Sequence, residues 1–434
     1  QNAITNLVSF LDNIMVGQLG TEQMSGVAIV NQLIFVYNLA IFGAVSAASI
    51  FGAQYFGKGN HKGHMYSFRF KLYATLLVTG GAILLFLTKG SALISLYLTD
   101  TVGNGATDLA LQYGLEYLAI MMVGLIPFAV NQSYATNIKE TGQTFIPMLA
   151  SFVAVGTNAI LDYLMIFGIG PFPELGVQGA ALATVIARYI EALIVVIWAH
   201  IHRGKNRYLE GAYSGFGIPL AELKAILIKG FPLMMNEVLW AAGMTTVTQC
   251  YSVRGLDVVA GLNIASTITN LFNIVYLQLG SCISIVVGQY LGAGKLEDAK
   301  DADNKMIVFS VFCCVIMAAL MFVVGGFFPG IYNTTEEIRE LATSFIAVSA
   351  IIMPFCAFSH ASYFTLRSGG KTVVTFLFDS VFTWVIVVPA AYLLAHFTGL
   401  GIVSIYFLVQ GTELIKVIIG YLMVKSNVWV VQMV

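Results

Sequence analysis

The chain has 434 residues, of which 58% are hydrophobic and only 10% are charged. Soluble domains carry about 25% charged residues, so this composition excludes an ordinary soluble protein and indicates an integral membrane protein. A net charge of −1 gives no basic excess that would predict a nucleic-acid partner. The five cysteines lie in apolar stretches without Cys-x-x-Cys spacing, so we expect neither a disulfide framework nor a metal site among them.

A helix needs about 20 mostly apolar residues to cross the hydrocarbon core of a bilayer. By that criterion the sequence predicts twelve spans, near residues 1–18, 26–50, 70–90, 111–135, 144–168, 178–200, 231–253, 260–287, 305–328, 341–364, 373–395 and 400–424. These segments are too long and too uniformly apolar for barrel strands. The predicted fold class is therefore an all-α integral membrane protein. Because the chain opens inside an apolar run, we expect the first span to begin upstream of residue 1.

Lysine and arginine are distributed unevenly between the two sets of loops. Sixteen lie in alternate loops and the C-terminal tail, including Lys71 between spans 2 and 3, whereas the opposite loops hold three. This bias predicts that both termini are cytoplasmic, in a multi-pass protein of the plasma membrane. Arg188 and Lys416 instead lie inside spans, each three residues from an acid. They are interpreted as ion pairs along one helix face, with Glu191 and Glu413 respectively.

The two halves of the sequence repeat weakly. Ala53–Gly57 after span 2 matches Gly288–Gly292 after span 8, and Gly142-Gln143-Thr144 after span 4 matches Gly370-Lys371-Thr372 after span 10. Six spans per half keep both halves in the same orientation, as in the parallel repeats of many transporters. The sequence predicts two pseudo-symmetric six-helix lobes, 1–204 and 205–434, with substrate sites near the midplane between them. The polar linker 200–222 is the predicted hinge.

Four acids and one amide interrupt apolar spans, where an isolated ionisable group costs several kcal/mol and marks a functional site. In the first half, Asn158 and Asp162 are four residues apart and share one face of span 5. Asp12 on span 1 and Thr184 on span 6 can add a second carboxylate and a hydroxyl. Because hard cations prefer oxygen ligands, this set predicts a site for Na⁺ or a proton, with Asp12, Asn158 and Asp162 as the Na⁺ ligands. The alternative is that Asp12 caps a helix and Asp162 hydrogen-bonds a neighbour.

In the second half, Asn236 and Glu237 on span 7 are followed one turn later by Trp240. An acid and an aromatic ring on one helix face suit an organic cation, through charge and cation–π attraction. Met235 beside them can supply an adaptable apolar wall, and Asp379 on span 11 is a further acid for the same purpose. These five residues are the predicted substrate-binding residues. In the alternative interpretation, Trp240 is a packing residue and Asp379 is solvated near the cytoplasmic end of its span.

The sequence resembles the multidrug and toxic compound extrusion (MATE) family over essentially its full length. The resemblance rests on an ordered set of motifs: Asp12–Gly20, Gly52–Gly57, Gly142-Gln143-Thr144, Asn158-x-x-Leu161-Asp162 and Leu175–Thr184. It implies cation-coupled export of organic cations and amphipathic toxins, with Na⁺ or a proton bound at the matching positions of spans 1, 5 and 6. The chain departs from many members in lacking an acid in span 10. The position of Glu237, near Pro232, also differs from that of some relatives.

Two other functions remain open. One is a flippase of lipid-linked oligosaccharides or other lipids from the same superfamily, although such proteins usually need a strongly cationic cavity. The other is a membrane-embedded enzyme, for which the sequence shows no His-x-x-x-His, Gly-x-Ser-x-Gly or large catalytic loop. There is also no Gly-x-x-x-x-Gly-Lys-Ser/Thr motif, so ATP is not the expected energy source. We expect a monomer without a cofactor whose partners are small-molecule drugs and membrane lipids.

Overall fold

The structure is a computed structural model that describes residues 15–16, 18–98, 106–215, 217–332 and 334–434, with residues 21 and 106 described by their backbone alone. Eleven helices in this part of the chain are long and apolar enough to cross a membrane. They coincide with predicted spans 2 to 12, and these residues contain no β-strand. The all-helical membrane fold is therefore confirmed. Most of the predicted first span, including Asp12, lies outside the described residues.

The helices of spans 2 to 10 are Thr21–Lys58, His61–Ser95, Ala106–Glu140, Phe145–Ile166, Val177–Ile201, Leu220–Ser252, Leu256–Gly292, Leu296–Gly325 and Glu336–Ser368. Span 11 consists of Thr372–Phe376, π-helical turns at Leu377–Val381 and Thr383–Val387, and Val388–Phe397. Span 12 is split into Ile402–Gly411 and Glu413–Lys425. Short 3₁₀ turns occur at Arg207–Leu209 and Phe328–Ile331. Most helices extend beyond the predicted apolar windows because their polar ends remain helical.

The described chain forms two compact units, each with its own apolar core. Unit 1 comprises 1–52 and 61–223, and unit 2 comprises 53–60 and 224–434. These bounds differ from the predicted lobes 1–204 and 205–434 in two places. The linker as far as Leu223 lies with unit 1. The end of the span 2 helix and the turn after it, Ala53–Asn60, lie with unit 2.

The repeated Gln-Tyr-x-Gly motif has a packing role inside unit 2. A Cβ added to Gly57 would overlap the backbone carbonyl of Gln289, and a Cβ added to Gly292 would overlap the carbonyl of Gln54. The two motifs therefore cross at backbone contact, which only glycine permits. Gln54 is fully buried there, and its amide donates to the carbonyl oxygen of Ser368 at 2.9 Å.

The polar linker after span 6 is folded onto unit 1. Its tyrosine Tyr208 is 1% exposed and packs its ring 5.2 Å from that of Phe68 on span 3. Burial, with a smaller effect of the Glu140 carboxylate, raises the pKa of the Tyr208 phenol well above its usual range. Arg69, also on span 3, donates to the carbonyl oxygens of Gly211, Ala212 and Gly217. Side chains of span 3 therefore contact this linker at several points, and the hinge over 200–222 stays a prediction.

Candidate functional site

The helices of spans 5 and 6 bring together three of the four residues predicted for the cation site. The amide Nδ2 of Asn158 donates to Oδ2 of Asp162 at 3.0 Å and to Oγ1 of Thr184 at 3.4 Å. The two helices can approach closely because Gly179 has no side chain, and a Cβ there would meet the carbonyl oxygen of Met165 at 2.6 Å. Asp12, the fourth predicted residue, lies outside the described residues.

The Asn158 group is almost dry, with Asp162 0% exposed and Asn158 5% exposed. A carboxylate removed from water is stabilised only by donors or by a positive charge. In this structure the neutral amide N–H of Asn158 donates to the Asp162 carboxylate and so stabilises it. The sequence analysis instead predicts that the amide oxygen lies beside the carboxylate. Rotation of the Asn158 amide by half a turn would present its oxygen in place of its N–H. The two side chains can therefore either bond to each other or bind a cation together.

In unit 2, Asn236 is the centre of a second buried polar group. Its Nδ2 donates to Oδ2 of Asp379 at 3.1 Å, and its Oδ1 accepts the hydroxyl of Ser380 at 2.8 Å. Pro232 lies four residues before Asn236 and removes one backbone hydrogen bond from the span 7 helix. The acceptor Asp379 lies in the first π-helical turn of span 11. Such turns are rare and often accompany functional sites.

Asp379 has a basic partner that the sequence analysis assigned elsewhere. Nζ of Lys416 lies 2.8 Å from Oδ1 of Asp379, with side-chain exposures of 8% and 16%. The predicted ion pair of Lys416 with Glu413 is therefore wrong as a direct contact, although the Glu413 charge still acts on Lys416. The alternative interpretation of a solvated Asp379 is wrong as well. Between Gly411 and Glu413, span 12 has one tightened turn at Thr412, about one turn before this lysine.

The other predicted substrate residues lie on the same helix with different exposures. Glu237 is half-buried, and Arg367 and Asp379 are the charged groups that act on it. Trp240 is 36% exposed and Met235 is half-buried. The structure thus brings Asn236 and Asp379 into direct contact, with Glu237 in their electrostatic neighbourhood. No hydrogen bond or ring contact links Trp240 to Glu237 in the described residues.

The matching interpretation in unit 1, an Arg188–Glu191 pair, is also wrong. The guanidinium of Arg188 donates to the carbonyl oxygen of Gly124 at 3.4 Å and lies 5.1 Å from the ring centre of Phe128. The carboxylate of Glu191 instead accepts the hydroxyl of Ser151 on span 5. Each of these side chains therefore has a hydrogen-bond partner on a neighbouring helix.

Sequence reasoning also missed a fully buried ion pair in unit 1. Nζ of Lys71 lies 2.5 Å from Oε1 of Glu140 and 3.0 Å from Oδ1 of Asn137. Nε2 of His64 lies 3.2 Å from the other oxygen of Glu140, and the absence of a side chain at Gly52 makes room for that carboxylate. The sequence analysis instead places Lys71 among the loop residues between spans 2 and 3. The sequence carries no local signal for this contact, because Lys71 and Glu140 are 69 residues apart on different helices.

The sequence profile described as MatE matches residues 1–164 and 232–393, about three quarters of the chain. The chain belongs to the MatE family. It is accordingly a membrane transporter and not an enzyme, as the sequence predicts.

Relatives with curated names are similar over most of their length. The probable multidrug resistance protein NorM of Thermotoga maritima is 23% identical over 406 residues, covering 93% of this chain and 85% of that protein. NorM of Bacillus subtilis is 24% identical over 408 residues, covering 91% and 86% respectively. A MATE transporter solved in an outward-facing conformation superposes with a TM-score of 0.87 at 19% identity, covering 98% of this chain and 92% of that one. This likeness shows the fold.

Proposed function

We propose that this MatE transporter exports organic cations and other amphipathic toxins by antiport with Na⁺ or H⁺. It acts as a monomer in the plasma membrane, with both termini in the cytoplasm. The curated relatives, named as probable multidrug resistance proteins, support the substrate class. The excess of lysine and arginine in alternate loops supports the orientation.

The observation that carries the proposal is the buried Asp162 with the amide of Asn158 at 3.0 Å. A carboxylate with 0% exposure is a strong site for positive charge, because water cannot screen it. A second carboxylate from Asp12 would add repulsion that a bound Na⁺ or proton relieves. Binding of the coupling ion is then favoured in the state that brings these groups together, which links the ion to one side of the transport cycle.

The polar group of span 7 and span 11 supports a role in substrate binding. Glu237 and Asp379 give unit 2 two acids inside apolar helices, and Lys416 neutralises only one of them. A lipophilic cation entering this region would find the charge of Glu237 with apolar and sulfur-containing neighbours on the same helix. Such soft, adaptable walls suit substrates of varied shape.

Transport in proteoliposomes tests the proposal. The purified protein is reconstituted, and efflux or uptake of one fluorescent organic cation is followed while a sodium gradient and a pH gradient are imposed separately. We expect one of the two gradients to drive accumulation, and the other to have little effect. Cation transport at the same rate with and without an imposed gradient would overturn the assignment. Movement of a pyrophosphate-linked lipid in place of the cation would also overturn it, in favour of a flippase.

A further inference from the structure

Asp303 on span 9 is a buried acid that the proposed transport sites do not use. Its side chain is 0% exposed, and its Oδ1 accepts the hydroxyl of Thr365 on span 10 at 2.6 Å. Its other oxygen, Oδ2, is buried and has no hydrogen-bond partner among the described residues. An ionised carboxylate in such surroundings is unfavourable unless something positive is attached to it.

The basic residues of span 9 are engaged elsewhere. Lys300 pairs with Glu297 at 2.8 Å, and Lys305 pairs with Asp301 at 2.6 Å, both toward solvent. Neither lysine approaches Asp303, although each is only two or three residues away in the sequence. The helix that carries Asp303 therefore supplies no counter-charge to it.

The helices packed against span 9 supply none either. On span 10, His360 contacts the Cys356 carbonyl oxygen at 2.9 Å, and Arg367 lies 5.5 Å from the ring centre of Phe364. Tyr363, also on span 10, accepts the amide of Asn236 at 3.4 Å. On span 8, the titratable group at this end is Tyr290, which is half-buried in the apolar cluster around Leu291 and Trp429. Among the described residues, Thr365 is therefore the single donor to Asp303.

The internal sequence repeat shows which group unit 1 has at this level and the surroundings of Asp303 lack. Thr365 lies five residues before Gly370, as Asn137 lies five residues before Gly142, and Ser368 takes the place of Glu140. In unit 1 this level of the helix pair holds the Lys71–Glu140 ion pair, in which Lys71 also contacts Asn137. At the matching level, unit 2 keeps a polar contact between the two helices, but the described residues place an acid there without a basic side chain paired to it.

We infer that Asp303 is a proton-binding site, with the proton on Oδ2. A metal ion would need several more oxygen ligands around that atom. The next buried hydroxyl without a partner on this helix is that of Ser310. Seven residues separate it from Asp303, about 10 Å along the axis, which is too far to share an ion. A proton needs no further ligand, because it converts the unpaired acceptor into a neutral hydroxyl. The inference goes beyond the proposed transport and does not depend on which ion drives it.

Infrared difference spectroscopy of the full-length protein in lipid nanodiscs tests this site. A protonated carboxyl group has a C=O stretching band that an ionised one lacks. We expect a band present at neutral pH in the wild type, absent in Asp303→Asn, and retained in the controls Asp162→Asn and Glu237→Gln. Asparagine keeps the volume of the side chain and can still accept the Thr365 hydroxyl. Identical spectra for wild type and Asp303→Asn between pH 5 and 9 would overturn the inference.

A second variant keeps the carboxyl group and removes its need for a proton. Met306 lies twelve residues after Gly294, as Lys71 lies twelve after Gly59, so Met306→Lys restores the missing basic residue one turn from Asp303. We expect this variant to lose the Asp303 band.

Labelling by dicyclohexylcarbodiimide, which attacks protonated carboxyls in apolar surroundings, should mark Asp303 in the wild type and fall at least tenfold in Met306→Lys. Absent or equal labelling in both proteins would contradict the assignment, whether or not Asp303→Asn folds. Gradient-driven transport in proteoliposomes is a separate readout, so failure of this site leaves the transport proposal standing.

Discussion

The ammonium group of Lys416 and the carboxylate of Asp379 form an ion pair of 2.8 Å that joins spans 12 and 11. The ammonium also lies 5.6 and 5.8 Å from the ring centres of Phe378 and Phe382. Two opposite charges that share one apolar site are far less costly than either alone. The pair therefore fixes a contact between two helices that depart from regular α-helical geometry at this level.

Removing one partner should be worse than removing both. Lys416→Met or Asp379→Asn alone leaves an uncompensated polar group, and we expect each to lower the free energy of unfolding by about 3–5 kcal/mol. The double variant, which leaves two neutral side chains, should recover most of that loss. Thermal unfolding in detergent of the four proteins measures the coupling. Additive losses in the double variant would mean that the two residues act independently.

The same ion pair shows where sequence reasoning succeeds and where it stops. Apolar length is a property of single segments, so it predicts spans 2 to 12 correctly, whereas the orientation taken from the lysine and arginine bias stays a prediction. Whether Lys416 faces Glu413 or Asp379 depends on the break at Thr412 and on the π-helical turn around Asp379, and neither has a signal in apolar periodicity. By contrast, Asn158 and Asp162 are one turn apart on one helix, so their contact follows from helix geometry alone.

The cation site predicts a loss of coupling without a loss of fold. Asp162→Asn and Asp12→Asn should each abolish gradient-driven efflux, because each replaces a charge that attracts the coupling ion with a neutral amide. Efflux in proteoliposomes measures the effect, and the elution profile in detergent reports the fold. Asp108→Asn is the matched control, since Asp108 is exposed at the start of the span 4 helix. Efflux at the wild-type rate in both purified variants would remove these acids from the mechanism.

The repeated glycines predict a difference in stability between two chemically identical changes. Gly57→Ala puts a methyl group onto the backbone of Gln289, whereas a Cβ at Gly156 on span 5 meets no atom within 4 Å. We expect Gly57→Ala to destabilise the protein by about 1–3 kcal/mol through overpacking. Gly156→Ala should be neutral or slightly stabilising, because alanine favours a helix. Equal unfolding temperatures for the two variants would show that the crossing of the two motifs is not tight in the membrane.

Charge selectivity is the sharpest test of Glu237. If its carboxylate contacts cationic substrates, Glu237→Gln should weaken binding of a lipophilic cation by about 2–5 kcal/mol, because a desolvated charge contact is lost. A neutral analogue of the same shape should bind almost as before, since glutamine keeps the volume and the hydrogen-bonding capacity of the side chain. Fluorescence titration of the purified protein with both ligands gives the two affinities, and Glu337→Gln, at an exposed position, controls for general effects of the change. Parallel losses for the charged and the neutral ligand would assign Glu237 to the structure of span 7, and the search for the substrate charge partner would move to Asp379.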